Sequence, residues 1–141
     1  MNRTERTCLI EAMEDKRLEE LLALFADVEL TVSLPPRSGL MMMTATDSFD
    51  TDFCLGEVLV TEARVIFRGC EGFGMVPGES PRRALARACA DAVLGCAEPT
   101  RIGEELEIFL RQEEVLQRAG CAKAASLIAA TRVNFDLMPG A

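Results

Sequence analysis

The segment Phe53–Arg68 reads F-C-L-G-E-V-L-V-T-E-A-R-V-I-F-R, too rich in β-branched residues and too regular in its alternation for a helix. Leu59, Thr61, Ala63, Val65 and Phe67 share one face of the implied strand, and Val58, Val60, Glu62, Arg64 and Ile66 share the other. Gly56 marks a bend or bulge near its start. Upstream, Val28, Leu30, Val32 and Leu34 alternate with Glu29, Thr31 and Ser33, which predicts a second strand. Pro35-Pro36-Arg37-Ser38-Gly39 is expected to end it as a turn before a further strand, Leu40–Thr46. The Met41-Met42-Met43 run reads as core filling on a covered strand rather than a metal-binding methionine box. Asp47–Asp52 is a polar loop that lacks the central glycine and distal glutamate of a calcium loop.

Downstream, Gly69-Cys70-Glu71-Gly72 reads as a hairpin-like turn into a short strand, Phe73–Val76. Ser80 as N-cap and Pro81 at the first helical position open an alanine-rich helix that runs to about Gly95. A helix over Ile102–Arg118 is expected to stop at Gly120, with a short helix over Ala122–Ala130 after it. The closing T-R-V-N-F-D-L-M, Thr131–Met138, alternates as a last strand. Before all of these, apolar residues at three- and four-residue steps predict a helix over Arg6–Ala26, with a break near Glu14–Lys16 as the alternative. The pattern predicts a single α+β domain over residues 1–141: a mainly antiparallel sheet of about four to five strands with helices packed against it.

Charge and composition narrow the function. Fifteen basic against 23 acidic residues give a net charge of -8, which excludes a general nucleic-acid-coating role. There is no histidine, so no histidine-based triad, dyad or zinc site exists within the chain. Six cysteines carry no C-x-x-C pair and are expected to be buried, reduced thiols acting as small hydrophobes. The N-terminus is charged throughout and no window is apolar enough for a membrane span, so a cytoplasmic protein without membrane or nucleic-acid partners is expected.

One region is set apart electrostatically. Between Arg64 and Arg87 lie five arginines and two glutamates, a local +3 inside an acidic chain. Arg64, Gly72, Gly74, Gly78, Ser80, Arg82 and Arg83 are therefore candidates for binding an anion or a partner, joined by Arg132 if the last strand lies beside the one that holds Arg64. The plainer reading is a hairpin turn, a capped helix and solvated arginines; no P-loop or dinucleotide fingerprint is present. Glu57 and Glu62 fall on opposite strand faces and cannot pair as acid and base. Glu104, Glu105, Glu107, Glu113 and Glu114 read as a solvated helix face, with Arg111 and Arg118 spaced to pair with them. No catalytic residue and no metal ligand set emerges.

Several motifs resemble one family. L-G-E-V-L-V-T-E-A-R-V (with Gly56, Glu57, Val60, Thr61 and Val65), G-F-G-M-V-P-G-E-S-P-R-R-A with Asp91 beyond it, and T-R-V-N-F-D-L-M (with Thr131, Arg132, Val133, Phe135 and Met138) are similar in order and spacing to PhnG, a subunit of the bacterial carbon–phosphorus lyase system. Phe73 stands where that family often has Tyr, and Cys8 where an aromatic residue is common. The resemblance implies a member of a complex in which PhnG, PhnH, PhnI and PhnL support the reaction of ATP with a phosphonate. Adenine leaves and a ribose 1-(alkylphosphonate) 5-triphosphate forms. It further implies a PhnI-like partner first, then PhnH-, PhnJ- and PhnL-like ones, with nucleosidase chemistry on PhnI and radical C–P cleavage on PhnJ. This subunit would hold no cofactor and would not be catalytic alone. Apart from the resemblance, the alternative is a free-standing module that binds a small anionic ligand or regulates.

Overall fold

The computed structural model describes residues 1–131. Two short helices, α1 (Arg3–Ala12) and α2 (Asp15–Leu24), precede a sheet of β1 (Thr31–Thr46), β2 (Asp52–Phe67) and β3 (Cys70–Pro77). Two further helices, α3 (Pro81–Gly95) and α4 (Arg101–Ala130), follow. The sheet is antiparallel in the order β1-β2-β3. The expected N-terminal helix is thus two helices, as in the alternative, with the break at Met13-Glu14, slightly before the Glu14–Lys16 expected.

Among the described residues the sheet has three strands, where four to five were expected of the whole chain. Pro35-Pro36 does not turn the chain; it lies inside β1, which runs through both expected strands. The ladder with β2 slips between Val32 and Leu34 and again between Leu34 and Arg37, so the prolines sit in bulges of an edge strand, where a missing N–H costs no ladder bond. The chain reverses at Asp47–Thr51 instead: Asp47 Oδ1 accepts from the amides of Phe49 (2.8 Å) and Thr51 (3.0 Å). The next reversal is at Arg68-Gly69, both at positive φ (47° and 81°) as a two-residue hairpin turn requires. The expected last strand lies outside the described residues, apart from Thr131, which ends α4.

The alternation of β2 places its faces as predicted. Thr61, Ala63, Val65 and Phe67 are buried beneath α3, and Glu62, Arg64 and Ile66 face the other side. The helix sits close because it presents alanines to glycines. A Cβ on Gly72 would overlap the backbone of Ala88 and Ala92, and one on Gly74 the backbone of Ala84 and Ala88. Val76, Val93, Leu106, Leu110 and the inner faces of α1 and α2 complete one core.

Two expectations about side chains need correction. Cys70 and Cys96 form a disulfide, with Cα atoms 5.7 Å apart, because α3 runs back along the sheet and ends beside the start of β3. Of the other cysteines only Cys89 is buried; Cys8, Cys54 and Cys121 are exposed. Glu113 is not on a solvated face. It is 3% exposed and binds Arg17 Nε at 3.0 Å, while Gln117 Nε2 bridges Glu113 (2.9 Å) and the Leu9 carbonyl (3.0 Å). That network ties α1, α2 and α4 together, with the Arg17 guanidinium over the Phe109 ring.

Candidate functional site

The basic island is divided by the sheet. Arg82, Arg83 and Arg87 belong to α3, on one side, whereas Arg64 projects from the face of β2 that α3 does not cover. There Arg64 reaches Glu71 at 3.5 Å and stacks over Phe73. The arginines on α3 are engaged within the molecule. Arg83 is almost enclosed: Nη1 donates to the carbonyls of Ile10 (3.1 Å), Glu11 and Met13 (2.9 Å), and Nη2 meets Asp15 at 3.2 Å. It satisfies the open carbonyls at the end of α1 and holds that helix to the start of α3. Arg82 pairs with Glu19 at 2.9 Å in an exposed contact.

The glycines and Ser80 serve the same junction. Gly72 and Gly74 are filled by α3, so their buried faces offer no space to a phosphate. Gly78, at a φ of 75°, turns the chain and donates its amide to the Leu59 carbonyl at 2.8 Å. Ser80 stands at the N-cap of α3 as expected, but its side chain makes no capping bond. Its amide is taken up by Thr61 Oγ1 (3.1 Å), which donates in turn to the Gly78 carbonyl (2.6 Å). Thr61, 1% exposed, is thereby the polar pin between the sheet and the α3 entry.

Other motif residues have local tasks as well. Gly56, at a φ of 129°, lies where the β1–β2 register shifts beside Met43. Glu57 is exposed opposite Met42, Val60 lies between Gly39 and Pro77, and Val65 is fully buried. Thr131 Oγ1 donates to the Ile128 carbonyl at 2.8 Å. Arg132, Val133, Phe135 and Met138 lie outside the described residues.

A constellation that spacing did not disclose forms at the outer edge of β3. Asp91 accepts from the Phe73 amide (3.0 Å) and from Arg3 in a two-pronged pair (2.9 and 2.5 Å). One helical turn earlier, Arg87 donates to the Met75 carbonyl, and burial pushes its guanidinium below its usual pKa. Arg3, Arg6, Phe73, Arg87 and Asp91 line a notch of about 20 Å³, large enough for one water but not for a nucleotide. Arg3 and Asp91 are 88 residues apart, a separation for which a single sequence holds no signal.

A broader cleft of about 810 Å³ opens between the end of α2, the Phe67–Gly69 turn and the start of α4. Its lining holds Arg68 and Arg101 against Asp27, Glu29 and Glu105, with Arg101 binding Glu105 at 2.8 Å, so it does not concentrate positive charge. Among the described residues no three Cys, Asp or Glu side chains gather to hold a metal ion, and no helix is long and apolar enough to cross a membrane.

Thus the polar motif residues that the structure describes mostly hold the sheet, the α3 entry and the β3 edge. Among curated proteins none matches the chain. A family model described as "Phosphonate metabolism protein PhnG" matches residues 1–140, the span that also carries the Gly56–Val65, Gly72–Asp91 and Thr131–Met138 motifs. The chain belongs to the PhnG family of phosphonate metabolism proteins.

Proposed function

We propose that this chain is a subunit of the carbon–phosphorus lyase core complex. It supports the step in which ATP and an alkylphosphonate give ribose 1-(alkylphosphonate) 5-triphosphate and adenine. The observation that carries this reading is the family match over residues 1–140. The engagement of Arg82, Arg83, Arg87, Asp91 and Thr61 in internal bonds agrees with a supporting role, since proton transfer to substrate requires a side chain free to reach it. On this reading the chain is one cytoplasmic domain with no catalytic residue and no cofactor of its own. Its partners are a PhnI-like subunit first, then PhnH-, PhnJ- and PhnL-like ones, with ATP and the alkylphosphonate as substrates of the assembly.

The test is co-expression of the tagged chain with those subunits, followed by an adenine-release assay with ATP and methylphosphonate. Co-purification is expected, together with no adenine from the chain alone and faster release when it is added to the others. Failure to co-purify, or turnover by the rigorously purified chain alone, overturns the proposal.

A further inference from the structure

The hairpin of β1 and β2 is longer than the body that supports it. β3 pairs with Val60–Phe67 of β2 and the Gly78 amide reaches the Leu59 carbonyl, so Asp52–Val58 is bonded to β1 alone. The buried face of β2 ends at Thr61, opposite Ser38. Beyond that pair the same face continues as Leu40 opposite Leu59, then Met42 opposite Glu57; Leu40 is 65% exposed and Met42 53%. The reverse face is also apolar, with Met41 opposite Val58 and Met43 opposite Gly56. A two-stranded ribbon with apolar side chains on both faces is at best marginally stable in water and calls for cover.

The edges and the charge specify the cover. At β3 the outer edge is occupied by Asp91 and Arg87 and ends in Pro77, which has no N–H. The arm has no such block: Pro35 and Pro36 lie at the proximal end of β1, and from Ser38 to Thr61 there is no proline, lysine or arginine. Edge strands are ordinarily protected by those residues. The same stretch carries Asp47, Asp50, Asp52 and Glu57 and no compensating cation. A second copy would bring an equally acidic arm against this one, which like-charge repulsion disfavours.

From this we infer that the arm is a docking element for a different protein, one offering an apolar cleft rimmed by lysine and arginine. Leu40, Met42 and Leu59 enter the cleft, and the acidic tip meets the rim. The inference rests on the proposed role as a complex subunit and assigns the surface that makes the contact.

The experiment compares four forms of the full chain, co-expressed with the subunit captured in the test above. They are wild type, the Leu40→Thr/Met42→Thr double variant, the Asp47→Asn/Asp50→Asn/Asp52→Asn triple variant, and a Leu127→Thr/Ile128→Thr control at the far end of α4. Threonine keeps strand propensity and asparagine keeps the turn acceptors, and circular dichroism with thermal melting checks each fold. The double variant is expected to bind at least about a hundredfold more weakly, as when two central apolar anchors are lost. The triple variant is expected to associate more slowly and to lose most of the salt dependence of the association rate. The control should bind like wild type. Undiminished binding by a folded double variant overturns the assignment and leaves the subunit role standing. Loss of a wild-type homodimer in the double variant, without loss of subunit binding, overturns it in favour of a second copy. If the wild type captures no subunit, the role and the assignment fall together.

Discussion

Cys89 is the residue whose environment is most exacting. Held between α3 and the sheet at 4% exposure, its thiol is pushed up to about 11 by burial. The unfolded chain ionises nearer the ordinary thiol value of 9.0, so it releases protons first as the pH rises, and stability attached to the neutral thiol is present below pH 9 and lost between about 9 and 11. Melting curves across that interval should show a loss that disappears in Cys89→Ala; an identical pH slope in the variant would assign the loss elsewhere. In the same protein at pH 8, alkylation should label Cys8, Cys54 and Cys121 quickly, Cys89 only after denaturation, and Cys70 and Cys96 only after reduction.

At the scale of elements, two glycines test opposite rules. Gly74→Ala forces a methyl group into the backbone of Ala84 and Ala88 and should destabilise the protein by about 2–3 kcal/mol, moving α3 off the sheet. Gly120→Ala, on the exposed surface of α4 with nothing near its Cβ, should instead stabilise by roughly 0.5–1 kcal/mol. Chemical denaturation of both variants checks the signs, and a neutral Gly74→Ala would show that the helix has room to retreat. Gly120 also shows where local reading stops. Its helix penalty, like the β-bulge tolerance of Pro35-Pro36, is small enough for the neighbouring turns to override, so α4 is continuous and β1 unbroken. The faces of β2 were legible because period-two alternation is itself the packing pattern. The Arg3–Asp91, Arg17–Glu113 and Cys70–Cys96 pairs were not, since each joins elements whose approach depends on the whole fold. The basic island was visible as composition, but its division by the sheet needed the topology.

At the scale of the whole molecule, the described residues extend well past the core at two places, the hairpin arm and the distal half of α4. The last α4 side chain to reach the body is Gln117, on the Leu9 carbonyl, and residues 118–130 are exposed throughout, a projection of roughly 20 Å. A helical end without tertiary support should exchange its amide hydrogens quickly. In hydrogen exchange on the isolated chain, residues 121–130 should therefore lose protection well before Leu106–Glu113; equal protection would place them against another surface. The edges of the sheet have their own consequence at this scale. With Arg87 and Asp91 occupying the outer edge of β3, strand addition among the described residues is confined to the β1 edge and the distal edge of β2. In the vocabulary of polymerisation the β3 flank is a capped end: a sheet can include this strand but cannot grow beyond it.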